Sequence, residues 1–221
     1  MSLRLFLDSA NATQWREWLP SGLFYGVTTN PTLLRRAGLA SSVASLRTLT
    51  HEAAGLGARE IHLQAWGDSA EAYYACGQAL AAIDPPRVCV KLPITHAGSL
   101  AAGRLLALGV RVTFTACFDA SQMLVAAALG ADYAAPYLGR ICDAGRDGHA
   151  EVIAMQRVVT GAGSSLRVLV ASLRDVTDLS RLAGAGLQTF TLAPPLVETL
   201  LHHPQTLVAA QEFEAAARPP G

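Results

Sequence analysis

The 221-residue chain contains a single lysine, Lys91, against sixteen arginines. Charge of either sign is sparse, at 15% of residues, and the 17 basic and 17 acidic side chains leave no net charge. The arginines are scattered, so no basic field is expected that would hold nucleic acid or an anionic membrane surface. No apolar run approaches the roughly 18 residues that cross a bilayer. The opening stretch MSLRLFLD reaches Asp8 too soon for a secretory leader, and a cytoplasmic location is expected. Cysteine is also scarce: Cys76, Cys89, Cys117 and Cys142 lie far apart with no C-x-x-C pair. That spacing argues against a zinc site or a redox motif and leaves reduced thiols in a core. A small molecule is the expected partner.

What the chain does contain is alternation. Short runs rich in Val, Ile, Leu and Phe fall at 3–8, 24–29, 60–66, 87–93, 111–117, 133–137, 167–172 and 189–194, separated by Ala- and Leu-rich stretches of helical period. Strands alternating with helices imply βαβ units and a parallel sheet. Eight such units in about 200 residues predict an α/β fold of the (β/α)8 TIM-barrel kind, small for its class. One barrel domain over 1–221 is expected, with an additional C-terminal helix at about 204–217. Gly57, Gly109, Gly130, Gly163 and Gly186 each shortly precede a run, where a helix C-terminus needs a left-handed residue. The tempting GAGSS stretch at 161–165 therefore reads as a helix end and not as a phosphate loop, since it precedes a strand instead of following one.

In such a barrel, catalytic side chains come from the C-terminal ends of several strands. Those ends carry Asp8, then Thr28, Thr29 and Asn30, then Gln64, Lys91, Thr115, Tyr137 with Arg140 just beyond, and Ser172. Singly, each has an ordinary structural reading as a cap or a strand residue. Together they surround the one lysine, and lysine differs from arginine in that its amine can lose a proton and attack a carbonyl. The resulting imine is an electron sink for a neighbouring carbanion, so no metal or organic cofactor is implied. Asp8 is the one carboxylate at a strand end and the candidate acid/base. Tyr137, Thr115 and Gln64 are candidates to hold a water that moves protons. Arg140 offers a fork for a phosphate, Arg174 could share it, and the start of the helix after Ser172 could add backbone N–H groups.

The stretches FLDSAN, GVTTNPTLL, VCVKLPIT, GVRVTFTACFDASQ, GADYAAPYLGRICDAG and VLVASLRD resemble those of the transaldolase family, in its short members. The resemblance implies Lys91 as the imine-forming residue and Asp8 as the acid/base at the C4 hydroxyl. It places Thr28 and Asn30 beside the substrate and gives the phosphate to Arg140 and Ser172. Transaldolases carry a Glu on the third strand and a Phe after the sixth, whereas this chain has Gln64 and Tyr137, as do fructose-6-phosphate aldolases. The resemblance thus implies an aldolase that releases free dihydroxyacetone from a sugar phosphate, with a transaldolase as the alternative and a catalytically silent binding barrel as a remote one. It also implies a homo-oligomer, a pentamer or decamer, with the last helix on a neighbour. Trp66 and Phe114 are expected as bulky groups near the rim, where Cys117 and Phe118 depart from both subgroups.

Overall fold

The computed structural model describes residues 2–218. The eight apolar runs form β1 (Arg4–Asp8), β2 (Gly26–Thr28), β3 (Glu60–Gln64), β4 (Val88–Pro93), β5 (Val112–Cys117), β6 (Tyr133–Pro136), β7 (Arg167–Val170) and β8 (Thr189–Leu192). All pair in parallel in sequence order, and β8 returns to β1, closing a (β/α)8 barrel. The helices are α1 (Ala12–Trp18), α2 (Pro31–Arg36), α3 (Val43–Gly55), α4 (Ala70–Ala81), α5 (His96–Ala107), α6 (Gln122–Ala128), α7 (Leu138–Asp143), α8 (Gly148–Gly161), α9 (Val176–Gly184), α10 (Pro194–Leu201) and α11 (Pro204–Ala217). The β2–β3 and β6–β7 connections each hold two helices. In both, the first is short and lies at the mouth of the barrel, where α2 carries Arg36 and α7 carries Arg140.

Side-chain alternation along the strands separates two cores. Leu7, Ile61, Leu63, Val90, Leu92, Phe114 and Phe190 point outward into the layer beneath the helices. Phe6, Cys89, Tyr133, Ala135 and Leu169 point inward and fill the barrel. A closed barrel of eight strands has room for side chains alone. Phe114 and Cys117 are both fully buried in the outer layer, and Trp66 packs against it, so none of the three stands at the rim as the sequence suggested. The reason is period two: Thr113 and Thr115 face inward and Phe114 between them faces out. A register shift between Thr115 and Cys117, with Ala116 at φ 58°, turns Cys117 outward as well.

The expected runs of β2, β3, β6, β7 and β8 extend past the observed C-terminal ends, because there the chain leaves the sheet to build the mouth, whereas β1, β4 and β5 end where expected. Asn30 caps α2, its side chain accepting from the Leu33 N–H at 3.0 Å, with Pro31 in the first turn. Pro194 starts α10, and Ser172 adopts φ 60° past the end of β7. GAGSS ends α8, with Gly163 at φ 61°, on the face opposite the strand ends.

The floor of the barrel is polar and closed. Glu60 accepts hydrogen bonds from Arg4 at 3.0 Å, Arg111 at 2.7 Å and Tyr133 at 2.6 Å. Above it, His62 Nδ1 lies 2.9 Å from the Thr113 hydroxyl, which in turn meets the Cys89 thiol at 3.1 Å. Burial overrides the nearby Glu60 and lowers the His62 pKa to about 4, so the ring is neutral. Glu60 is held to about 2, its burial outweighed by its contacts with His62 and Tyr133 and by the charge of Arg111.

Candidate active site

At the C-terminal ends of the strands lies a cavity of about 360 Å³. Its lining includes Asp8, Thr28, Asn30, Lys91, Tyr137, Arg140, Ser172 and Arg174, contributed by five different strands or the segments that follow them, Arg140 from α7. Lys91 is 5% exposed, enclosed by β4 and its neighbours, and its Nζ donates to the Thr29 carbonyl at 2.9 Å. That bond holds an amine group at the floor of the cavity with two hydrogens of its ammonium form, or the lone pair of its free form, left for a ligand.

Asp8 sits at the end of β1, half-buried, with Oδ1 accepting from the Thr28 hydroxyl at 2.6 Å. Burial raises its pKa above the ordinary carboxylate value, opposed by Lys91, by the Thr28 hydrogen bond and by Arg36. It is the one carboxylate in the lining. An enclosed carboxylate beside an amine can exchange a proton with a substrate hydroxyl. Asn30 spends its carbonyl oxygen on the α2 cap, which leaves the amide N–H groups for the cavity.

Tyr137 lies across the cavity. Its hydroxyl is 2.7 Å from the Thr115 hydroxyl, and Phe118 packs its ring edge-on at 5.8 Å. Thr115 therefore reaches the cavity through Tyr137 and is not itself in the lining. Gln64 pairs with Lys91 in the β3–β4 register but is likewise outside the lining.

The anion side is built by close backbone packing. Gly139 N–H donates to the Ser172 carbonyl at 2.9 Å, and Leu138 N–H to that of Ala171 at 3.0 Å, so α7 lies directly on the turn after β7. A Cβ at position 139 would stand 2.6 Å from the Ser172 oxygen and 2.7 Å from Arg174 Nε, which is why glycine precedes Arg140. Arg140 stacks over the Tyr137 ring at 4.7 Å and forms no ion pair among the described residues. Arg174 faces the cavity as well, but Asp143 grips its guanidinium from the outside, with one contact at 2.7 Å. The helix after Ser172 does not supply the free N–H groups expected from the sequence. It begins four residues on, and Asp175 caps it in a reciprocal pair with Asp178.

Thr32, Arg36, Thr191 and several apolar side chains of the lining escape the sequence reading, and two of them bear on the chemistry. Thr191, on β8, places its hydroxyl 2.6 Å from that of Thr28. Arg36, at the end of α2, adds a cation with no ion-pair partner among the described residues. A threonine in a strand carries no signal of its own, and Arg36 lies eight residues beyond the end of β2. The opposition of β2 and β6 in the barrel, which sets Arg36 across the mouth from Arg140, could have drawn attention to it. Among the described residues no group of three or more His, Cys, Asp or Glu is placed to hold a metal ion. No helix there is long and apolar enough to cross a membrane.

Comparison with known proteins identifies the family. The chain is 35% identical over 219 residues to a "Probable transaldolase" of Thermus thermophilus, covering 96% of both chains. It is 32% identical over 211 residues to a protein of the same name from Caulobacter sp. (strain K31), covering 96% of this chain and 94% of that one. A crystal structure of a lyase/mutase candidate from Burkholderia cenocepacia J2315 superposes with a TM-score of 0.61 over 100% of this chain and 88% of that one, at 16% identity, a likeness of fold alone. The family model described as Transaldolase/Fructose-6-phosphate aldolase matches residues 5–219, and the chain, with its buried lysine among the strand ends of a (β/α)8 barrel, belongs to that family.

Proposed function

We propose that the protein is a Schiff-base aldolase that reversibly cleaves fructose 6-phosphate to dihydroxyacetone and glyceraldehyde 3-phosphate, with Lys91 as the nucleophile. The observation that carries the reading is the enclosure of the chain's one primary side-chain amine at the floor of a cavity that also holds a single carboxylate. In the forward direction the Lys91 amine adds to the C2 carbonyl and water leaves, giving the imine. Asp8 takes the C4 hydroxyl proton as the C3–C4 bond breaks, and the electron pair moves into the protonated imine to form an enamine. The aldehyde departs, a proton returns to C3, and water hydrolyses the imine to free dihydroxyacetone and amine. Tyr137 and Thr115 are assigned to hold that water, with Gln64 assisting from β3. Thr28 and Asn30 are assigned to the dihydroxyacetone unit, and Arg140 with Ser172 to the phosphate, Arg174 being partly spent on Asp143.

A second reading, transaldolase, is favoured by the names of the relatives at 30–35% identity. It differs in one step, transfer of the enamine to an aldose phosphate in place of protonation and hydrolysis. Tyr137 supports the aldolase, because its hydroxyl pairs with that of Thr115 at the cavity that holds the lysine, where transaldolases have Phe. Purified protein incubated with fructose 6-phosphate, alone and then with erythrose 4-phosphate, tests the choice. Dihydroxyacetone released without acceptor, and abolished in Lys91→Arg, is the expected result. Sedoheptulose 7-phosphate formed only with acceptor would assign the enzyme as a transaldolase.

Helix α11 buries no residue and exposes Leu207, Val208 and Phe213. This supports a homo-oligomer in which a neighbour covers the helix, a pentamer or decamer by resemblance, and the mass in solution tests it. Sugar phosphates are retained where they are made, which supports a cytoplasmic enzyme.

A further inference from the structure

Three adjacent strands, β8, β1 and β2, meet in a chain of oxygens that the roles above do not use in full. The Thr28 hydroxyl lies 2.6 Å from Asp8 Oδ1 and 2.6 Å from the Thr191 hydroxyl. Thr28 is 0% and Thr191 4% exposed, so bulk water does not compete for these bonds. Each hydroxyl has one proton to give, and an ionised carboxylate can only accept. Thr28 therefore faces two oxygens and can donate to one. Thr191 makes no other side-chain hydrogen bond among the described residues, so its proton is free to point at Thr28. With that proton in place, the remaining proton of Thr28 is directed to Asp8, and the two bonds polarise one another.

We propose that Thr191 is a positioning residue for Asp8, acting through Thr28: it fixes the direction of the hydroxyl chain, ties Asp8 Oδ1 into it and leaves Oδ2 as the oxygen that takes the substrate proton. The proposal rests on the reading of Asp8 as the acid/base. The other charged groups facing Asp8 are Lys91 from β4 and Arg36 from α2, and neither forms a side-chain hydrogen bond with Thr191 among the described residues. Removing the Thr191 hydroxyl takes support from the charged form of Asp8 without altering Lys91.

The test compares Thr191→Val, which keeps the shape and drops the oxygen, with Thr191→Ser, which keeps the oxygen. The readouts are the pH profile of ketose cleavage and borohydride trapping of dihydroxyacetone on Lys91. In the valine variant kcat is expected to fall about tenfold, with KM within about twofold and the acid limb of kcat/KM moved to higher pH. Trapping stays at the wild-type rate, and serine restores the cleavage rate. Because the effect runs through Thr28, Thr191→Val should add nothing in a Thr28→Val background. Serine as slow as valine, a valine variant with the wild-type pH profile, or additive effects in the double variant would each overturn the proposal. Wild-type protein that neither traps dihydroxyacetone nor cleaves a ketose phosphate would overturn the functional reading itself, and the inference with it.

Discussion

The Tyr137 and Thr115 hydroxyls lie 2.7 Å apart, one from the turn after β6 and the other from β5, and only Tyr137 faces the cavity. On the proposed mechanism, a water placed by this pair would hydrolyse the imine on Lys91. Tyr137→Phe removes the cavity-facing oxygen and keeps the ring that Arg140 and Phe118 pack against. Release of dihydroxyacetone from fructose 6-phosphate should fall about tenfold, while transfer to erythrose 4-phosphate falls less. Measuring both products from one reaction gives the ratio directly, and an unchanged ratio would remove Tyr137 from the hydrolytic step.

The three arginines of the mouth should not be equal. Arg140 lacks an ion-pair partner among the described residues, whereas Arg174 is already engaged by Asp143. A charge-assisted bond to phosphate is worth about 1.5–3 kcal/mol, so Arg140→Met should raise KM for fructose 6-phosphate by roughly 10- to 100-fold. Arg174→Gln should raise it by a smaller factor, and Arg36→Met should do so through the cavity's overall field. The same KM series on an unphosphorylated ketose separates phosphate recognition from damage to the site.

His62 gives the fold a pH dependence away from the chemistry. Its pKa is about 4 in the folded chain against an ordinary 6.5, so between those values the unfolded chain binds a proton that the folded one does not. Stability is full above pH 6.5 and falls as the pH drops toward 4, by up to about 3 kcal/mol. Glu60, held near 2, contributes its own loss only below the ordinary glutamate range. Thermal melts from pH 7.5 to 4.5 should show the fall, and His62→Asn should flatten it; equal slopes in both proteins would refute the assignment.

Gly139→Ala should damage the phosphate side from within the backbone. The added methyl would stand 2.6 Å from the Ser172 carbonyl oxygen, and α7 must move to admit it. A loss of about 1–3 kcal/mol is expected from overpacking, seen as a lower Tm. A higher KM should accompany it because Arg140 rides on α7.

Much of this was readable in the residues. Counting apolar runs predicts the barrel because the buried strands are short apolar runs and most of their C-terminal ends change to polar side chains. The same rule places Asp8, Lys91, Thr28, Asn30, Tyr137 and Ser172 around one mouth, because strand C-termini converge in a closed sheet. It fails for Phe114 and Cys117, whose side is decided by alternation and by a local register shift. It leaves Gln64 beside the cavity instead of in it, and it overlooks Thr191, whose meaning comes from Thr28 on a strand two places away around the barrel. Arg36 and Arg174 depend on where a short helix ends and on which carboxylate arrives first, and neither is a property of local sequence.

The floor of the barrel carries a last consequence. With Phe6, His62, Cys89, Tyr133 and Leu169 filling the axis above the Glu60 cluster, the cavity has a blind end. Whatever arrives and whatever departs shares one doorway. On the proposed mechanism, incoming water and an incoming aldehyde would then be rivals for the same threshold, and the nature of the product would follow from traffic there as much as from the groups around the lysine.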